Sequence, residues 1–348
     1  MPSIHGRSGA ALRERVGSVA QVARIDSFME LDGVAFGARR LRIVNGGGLE
    51  IELHPDRALD IGRVTINGVA VAWLAAPGMT GPATTRQMGT EWLQTFGGGL
   101  LATCGLDSFG PPVDDEYGHA GMHGSIGHMR ATVLRAEVTD DEVIVEAEVR
   151  QSVVFGENLV LRRKVSSPLG SDEFQIEDTV TNLSYRDQPH MILYHFNLGW
   201  PLVDDDTTID IPSSGVSPRD ADAEAGLSEH HAWGPPIAGF REQVYRHDLP
   251  QQSAVTAVVA NPARGLTAEI TVDPSELPAI FQWKMQAQGH YVLGIEPTNT
   301  PNVRGRAAAK AAGDLPMLAP GESATYSLHL RLAQDPPVVP APRKEQSV

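Results

Sequence analysis

The sequence predicts an all-β protein: a large β-sandwich of two stacked sheets with a few short helices. Three observations lead there. Polar and apolar residues alternate at period two through most of the chain between residues 40 and 332, the pattern of half-buried strands. The 348 residues include 35 Gly and 25 Pro, which favours frequent turns over long helices. The resulting short strands are too many for a small barrel and suit two large packed sheets.

The elements follow in chain order. Apolar residues at Leu12, Val16, Val19 and Ala20 form a helical stripe over residues 10–22, weakened by Gly17. Arg40–Val44 and Leu49–Leu53 alternate across Asn45-Gly46-Gly47-Gly48, and Arg63–Ile66 and Val69–Trp73 across Asn67-Gly68; both read as hairpins. Strands are then expected over 131–138, 142–150, 159–165, 173–182, 191–198, 254–260, 266–272, 279–285, 291–295 and 324–332. Residues 76–128 are rich in Gly, Pro, Thr and His and show few convincing strands. Residues 212–236 read as a long loop. Arg306–Ala312, stopped by Gly313, reads as a short helix. Without a repeat or clear linker, one domain is expected over 1–348: an N-terminal helical extension at 1–24, the sandwich at 24–333 and a tail at 334–348.

Charge and cysteine content narrow the function. Lys+Arg is 28 and Asp+Glu 43, a formal net charge of −15. That argues against a nucleic-acid partner, which attracts basic surfaces. No apolar run approaches the about 18 residues of a membrane span, and the first residues lack a signal-peptide core. The single Cys104 excludes an intrachain disulfide. These features point to a cytoplasmic protein with no membrane partner; a homodimer is left open.

Four constellations could carry chemistry. Thr90–Asp107 holds Trp92 and the run Gly97-Gly98-Gly99. It lacks the Gly-Lys-Ser/Thr of a phosphate loop, so it reads as a tight packed loop or a pocket wall. His119, His123 and His128 lie in a Gly-spaced segment. The spacing of the first two permits a metal reading, but the glycines make a helix unfavourable; a neutral hydrogen-bonding role in a polar pocket is the alternative. In a strand, His195, Asn197 and Leu193 share one face, opposite Tyr194, Phe196 and Leu198. That suggests a site floor, or a satisfied structural His. Glu296 ends an apolar strand just before Pro297, where burial can lift a carboxylate toward the range of a useful base.

Taken together, Asp56–Gly62, Phe96–Leu106, His123–Gly127, Tyr194–Gly199 and Gly294–Asn299 resemble, in order, the segments of the aldose 1-epimerase (galactose mutarotase-like) superfamily. They are most similar to its aldose-1-epimerase-like branch of uncharacterised function. The resemblance implies the fold called a supersandwich, with a small-molecule sugar bound in a cleft on one sheet. It implies Glu296 as catalytic base and His195 as catalytic acid. The superfamily's histidine stands three residues before the Phe of its Phe-Asn-Leu run, where this chain has Leu193; His195 keeps the same strand face. His123 matches a sugar-contacting histidine, with Ser125 in place of a glycine. Arg57 and Arg86 are candidates for the superfamily's arginine. Asp60, Asn197, Asn299 and Arg304 complete the expected substrate contacts, Trp92 or Trp200 could stack on the sugar, and Arg306 could meet an anionic substituent.

The chemistry requires one proton removed from the anomeric hydroxyl and one given to the ring oxygen, so no metal or organic cofactor is required. Two other readings stay open: an epimerase, isomerase or lyase acting on an oxidised or modified sugar, and a non-catalytic sugar-binding module.

Overall fold

The computed structural model describes residues 3–81 and 87–335. Period-two patterning becomes two large antiparallel sheets. The first has eleven strands. Its main path runs through Arg24–Met29, Arg39–Val44, Leu49–His54, Asp60–Ile66, Leu101–Cys104, Leu193–Leu198, His290–Thr298, Ala279–Ala287, Gln243–Asp248 and Gly215–Pro218, with Val69–Ala70 paired beside Asp60–Ile66. The second has eight: Thr208–Asp210, Val255–Asn261, Leu266–Val272, Ser323–Gln334, Glu173–Asn182, Asn158–Pro168, Glu142–Ser152 and Thr132–Val138. The all-β sandwich is therefore observed, and both expected hairpins form.

Alternation sorts the side chains. Inward residues of the first sheet, such as Ile51, Ile61, Tyr194, Phe196 and Ile295, share one apolar core with Val145, Leu161, Ile176, Ile270 and Leu330 of the second. The opposite face of the first sheet buries a smaller cluster that includes Cys104, Leu193, Val244 and Phe281. This outer face carries the cleft.

One polar network crosses the sandwich. Arg163, fully buried, donates to both carboxylate oxygens of Asp178 at 2.9 and 2.7 Å and to Asp60 at 3.1 Å. Tyr194 donates its hydroxyl to Asp178 at 2.8 Å. Asp60 also accepts from the Thr103 hydroxyl at 2.6 Å and the Thr103 amide at 3.1 Å. Buried charges persist only when paired and hydrogen-bonded in this way.

Three local expectations change. The stripe over 10–22 gives only a short helix, Gly9–Arg13, and a 3-10 turn, Val19–Gln21; Gly17 lies between them. The segment 76–128 hides a central strand, Leu101–Cys104, bonded on both sides. Residues 212–236 hold the edge strand Gly215–Pro218 and a helix, Ala221–Ala225. The Arg306–Ala312 helix forms and stops at Gly313. The last strand reaches Gln334, one residue into the expected tail, whose residues 336–348 fall outside the described set. No helix among the described residues is long and apolar enough to cross a membrane.

Candidate active site

The strands Leu193–Leu198 and His290–Thr298 are neighbours, with Phe196 opposite Ile295 and Leu193 opposite Thr298. That register sets His195 across from Glu296. Directly opposite residues of an antiparallel pair bring their side chains together on one face. Accordingly His195 Nε2 lies 3.2 Å from Glu296 Oε1, both side chains buried. The contact is short but off-angle for a formed hydrogen bond, and among the described residues Glu296 Oε1 and His195 Nδ1 have no hydrogen-bond partner. Leu193, at the superfamily's usual histidine position, packs into the outer apolar cluster instead.

Gly294 makes room for this pair. A Cβ there would sit 2.6 Å from Glu296 Oε1 and 2.9 Å from the Trp283 Cβ. The Gly97–Gly99 run is a packed wall. Gly98 takes φ +74, and a Cβ on it would come within 2.5 Å of the Trp73 carbonyl. Both readings of the Thr90–Asp107 segment are observed: its glycines pack closely, and its Trp92, Leu93 and Phe96 line the cavity.

The pair lies in the wall of a cavity of about 710 Å³, within the usual size of ligand sites. Aromatic rings enclose His195: Trp283 at 5.3 Å, Phe96 at 5.5 Å, His123 at 5.9 Å and Trp92 at 6.4 Å between ring centres. Trp92 stacks on Phe96 at 4.1 Å. His123 is held in place by its backbone, which accepts from the Gly105 amide and donates to the Gly110 carbonyl. Its Nδ1 is buried without a partner among the described residues. The polar rim is Arg219, Asp220, Glu242 and Arg304. Arg219 donates to Asp220 at 2.7 Å and to Glu242 at 2.9 Å, and Trp283 Nε1 donates to Glu242 at 2.9 Å.

Burial governs the titration of these groups. It pushes Glu296 up to about 8, helped by the Glu242 charge and opposed by Arg219. It pushes His195 down to about 3 and His123 to about 4. In the neutral range the pair therefore holds one exchangeable proton, resting on the carboxyl beside a neutral imidazole.

Of the residues singled out in the sequence, Glu296, His195, His123, Trp92 and Arg304 line the cavity. Others do not. Asp60 is locked to Thr103 and Arg163 between the sheets. Arg57 is buried and donates to Thr80 at 3.2 Å. Asn197 donates to the carbonyls of Gly99 and His195, fastening the glycine loop to the strand. Asn299 ties Ile192, His190 and Tyr326 together. Trp200 is 62% exposed, beside Arg264. Arg306 is buried and paired with Asp107 and Asp115. Arg86 lies outside the described residues. Asp60, Arg57, Asn197, Asn299 and Arg306 are polar for structural reasons, which a motif match cannot separate from contact with a ligand.

The three spaced histidines diverge. His119 is exposed, His123 faces the cavity and His128 is buried near Arg57. Among the described residues no group of three His, Cys, Asp or Glu side chains is placed to hold a metal. Sequence reasoning missed Glu242, Arg219 and Trp283. Trp283 lies on a recognised strand, but nothing local marks which face meets the cleft. Glu242 stands just before the strand Gln243–Asp248, which the sequence pattern did not reveal.

The model of a domain of unknown function, DUF4432, matches residues 35–332. The chain belongs to this family. No curated protein matches this member of it. Among solved structures, a Klebsiella pneumoniae protein provisionally named an aldose 1-epimerase is 26% identical, with a TM-score of 0.84 over 89% of this chain and 83% of that one. A galactose mutarotase-like protein of Clostridium acetobutylicum is 15% identical, with a TM-score of 0.63 over 90% of this chain and 100% of its own. The galactose 1-epimerase of Lactobacillus acidophilus is 12% identical, with a TM-score of 0.59 over 90% and 100%. The last two likenesses concern the fold alone. The DUF4432 chain thus has the galactose mutarotase-like sandwich that its motifs implied.

Proposed function

We propose that this DUF4432 protein is an aldose 1-epimerase, a mutarotase that interconverts the anomers of a sugar. One observation carries the reading: His195 and Glu296, 3.2 Å apart on neighbouring strands, lie at an aromatic-walled cavity large enough for a sugar. Half-buried Trp283 offers a face for the apolar side of a pyranose, and His123 offers a hydrogen bond to a hydroxyl.

In the reaction a proton leaves the anomeric hydroxyl, and the bond from the anomeric carbon to the ring oxygen breaks as that oxygen takes up a proton. The aldehyde turns, and the ring closes on its other face with the transfers reversed. Glu296 and His195 serve as the acid–base pair. The expected assignment, Glu296 as base and His195 as acid, uses the ion-pair form. The resting form places the same proton on Glu296. The two forms differ only in where that proton sits, so either supplies one acid and one base.

The test is saturation-exchange NMR of anomer interconversion over a panel of aldoses and sugar acids. Wild-type protein should accelerate exchange for some members. The reading fails if no sugar exchanges faster with wild type than with Glu296→Gln protein.

A further inference from the structure

A second cavity of about 210 Å³ adjoins the first. The two share Arg219, Val244, Val303 and Arg304 in their walls. Arg304 Nη2 donates to the Arg219 carbonyl at 2.6 Å, so these two residues form the partition. Three arginines line the smaller cavity, Arg219, Arg246 and Arg304, against a single carboxylate, Asp314. In a chain of net charge −15 this is a local concentration of arginine.

The three guanidiniums are not equivalent. Arg219 is engaged by Asp220 and Glu242, and Arg246 by Asp248 at 2.9 Å. Arg304 is exposed and, among the described residues, makes no ion pair. Its one side-chain hydrogen bond, to a neutral carbonyl, leaves further donors of its fork free. It therefore presents a cation with no direct carboxylate partner among the described residues to both cavities. The floor of the larger cavity, by contrast, carries a carboxyl and two neutral imidazoles.

Resting on the reading of the large cavity as a sugar site, we infer that the smaller cavity is an anion subsite. The substrate is a sugar bearing a carboxylate or phosphate remote from its anomeric carbon. The anomeric end occupies the His195–Glu296 floor, and the anion reaches across to Arg304, with Arg246 behind it. Arginine forks suit both groups geometrically.

The experiment compares an aldohexose with its uronic acid and its 6-phosphate by exchange NMR. At least one anionic sugar should show kcat/KM about tenfold or more above the neutral parent, the factor expected of a charge-assisted hydrogen bond. The two anionic arms separate carboxylate from phosphate. Arg304→Gln and Arg246→Gln should each lower the anionic-to-neutral ratio severalfold, and Arg304→Lys less than Arg304→Gln. Equal kcat/KM for neutral and anionic sugars overturns the inference, as does a ratio that neither glutamine variant moves. If no sugar anomerises, the mutarotase reading fails, and a ligand-observed NMR titration with the same three sugars decides the subsite. Tighter anionic binding that is lost in Arg304→Gln upholds it; equal or absent binding overturns it.

Discussion

Replacing Glu296 by glutamine should make the protein more stable in mild alkali while destroying its activity. The carboxyl is buried, and its pKa is lifted from an ordinary 4.5 to about 8. Below pH 4.5 it is protonated in both folded and unfolded chains and carries no penalty. Between 4.5 and 8 the folded chain retains a proton that the unfolded chain has released, so stability falls as pH rises. Each pH unit is worth ~1.4 kcal/mol, giving a penalty on the order of 5 kcal/mol above pH 8. Glutamine has the shape of the protonated acid and does not ionise, so the variant escapes this penalty. Urea denaturation of both proteins from pH 5 to 9 measures it: the two curves should nearly coincide at pH 5 and diverge, variant above wild type, toward pH 8. Exchange NMR on the same samples should show turnover reduced by about 10²- to 10⁴-fold, the usual contribution of a general acid or base. A constant gap across pH would mean that Glu296 is not held protonated in the folded state. Near-full activity in the variant would remove it from the chemistry.

Three further outcomes follow from the same geometry. The pH–rate profile of the wild type should be flat between about 4 and 7 and fall above about 8, because the active pair carries one proton between the values of His195 and Glu296; a rate that climbs through pH 8 would point to an unprotonated pair. Five buried histidines, His54, His128, His190, His195 and His247, and the half-buried His123 are held neutral with pKa values pushed down to about 3 or 4. The unfolded chain takes up protons below pH 6.5 that the folded one refuses, so the melting temperature should drop steadily from pH 6.5 to 4; an unchanged melting temperature would show that these rings charge without unfolding. Gly294→Ala should displace Glu296 and Trp283 and lower turnover by about 10²-fold while the protein stays folded, since small misplacements of reacting groups are that expensive; unchanged turnover would mean that the pair tolerates a shift.

The sandwich was legible because period-two alternation is a direct imprint of a sheet with one face in the core. The strand Val255–Asn261 alternates buried and half-buried residues along its whole length, and the sequence shows it plainly. Leu101–Cys104 escaped notice because four residues between glycine-rich loops carry too little alternation to register. For the site, the face argument worked: His195 points to the cleft, and Tyr194 and Phe196 to the core. Motif position misled where a polar side chain binds the protein's own backbone. Asn299 and Asn197 look like ligand residues in sequence, yet they fasten the ends of the strands that carry Glu296 and His195. Glu242 and Arg219 reach the cavity from outside every matched segment, and no local pattern announces them.

On the proposed mutarotase reading, the position of the His195–Glu296 pair explains why one exchangeable proton is enough. Mutarotation is its own reverse: the group that gives a proton during ring opening must take one back during closure. A pair with a single mobile proton returns to its starting state after each cycle. Two strands hydrogen-bonded in fixed register hold the groups 3.2 Å apart, so neither must search for the other. The burial that raises one pKa and lowers the other also suppresses the two states that cannot react, the doubly protonated and the fully deprotonated pair. The stability lost to the buried carboxyl near neutral pH and the catalytic role proposed for the pair thus have one origin. A substitution that relieves the first should abolish the second.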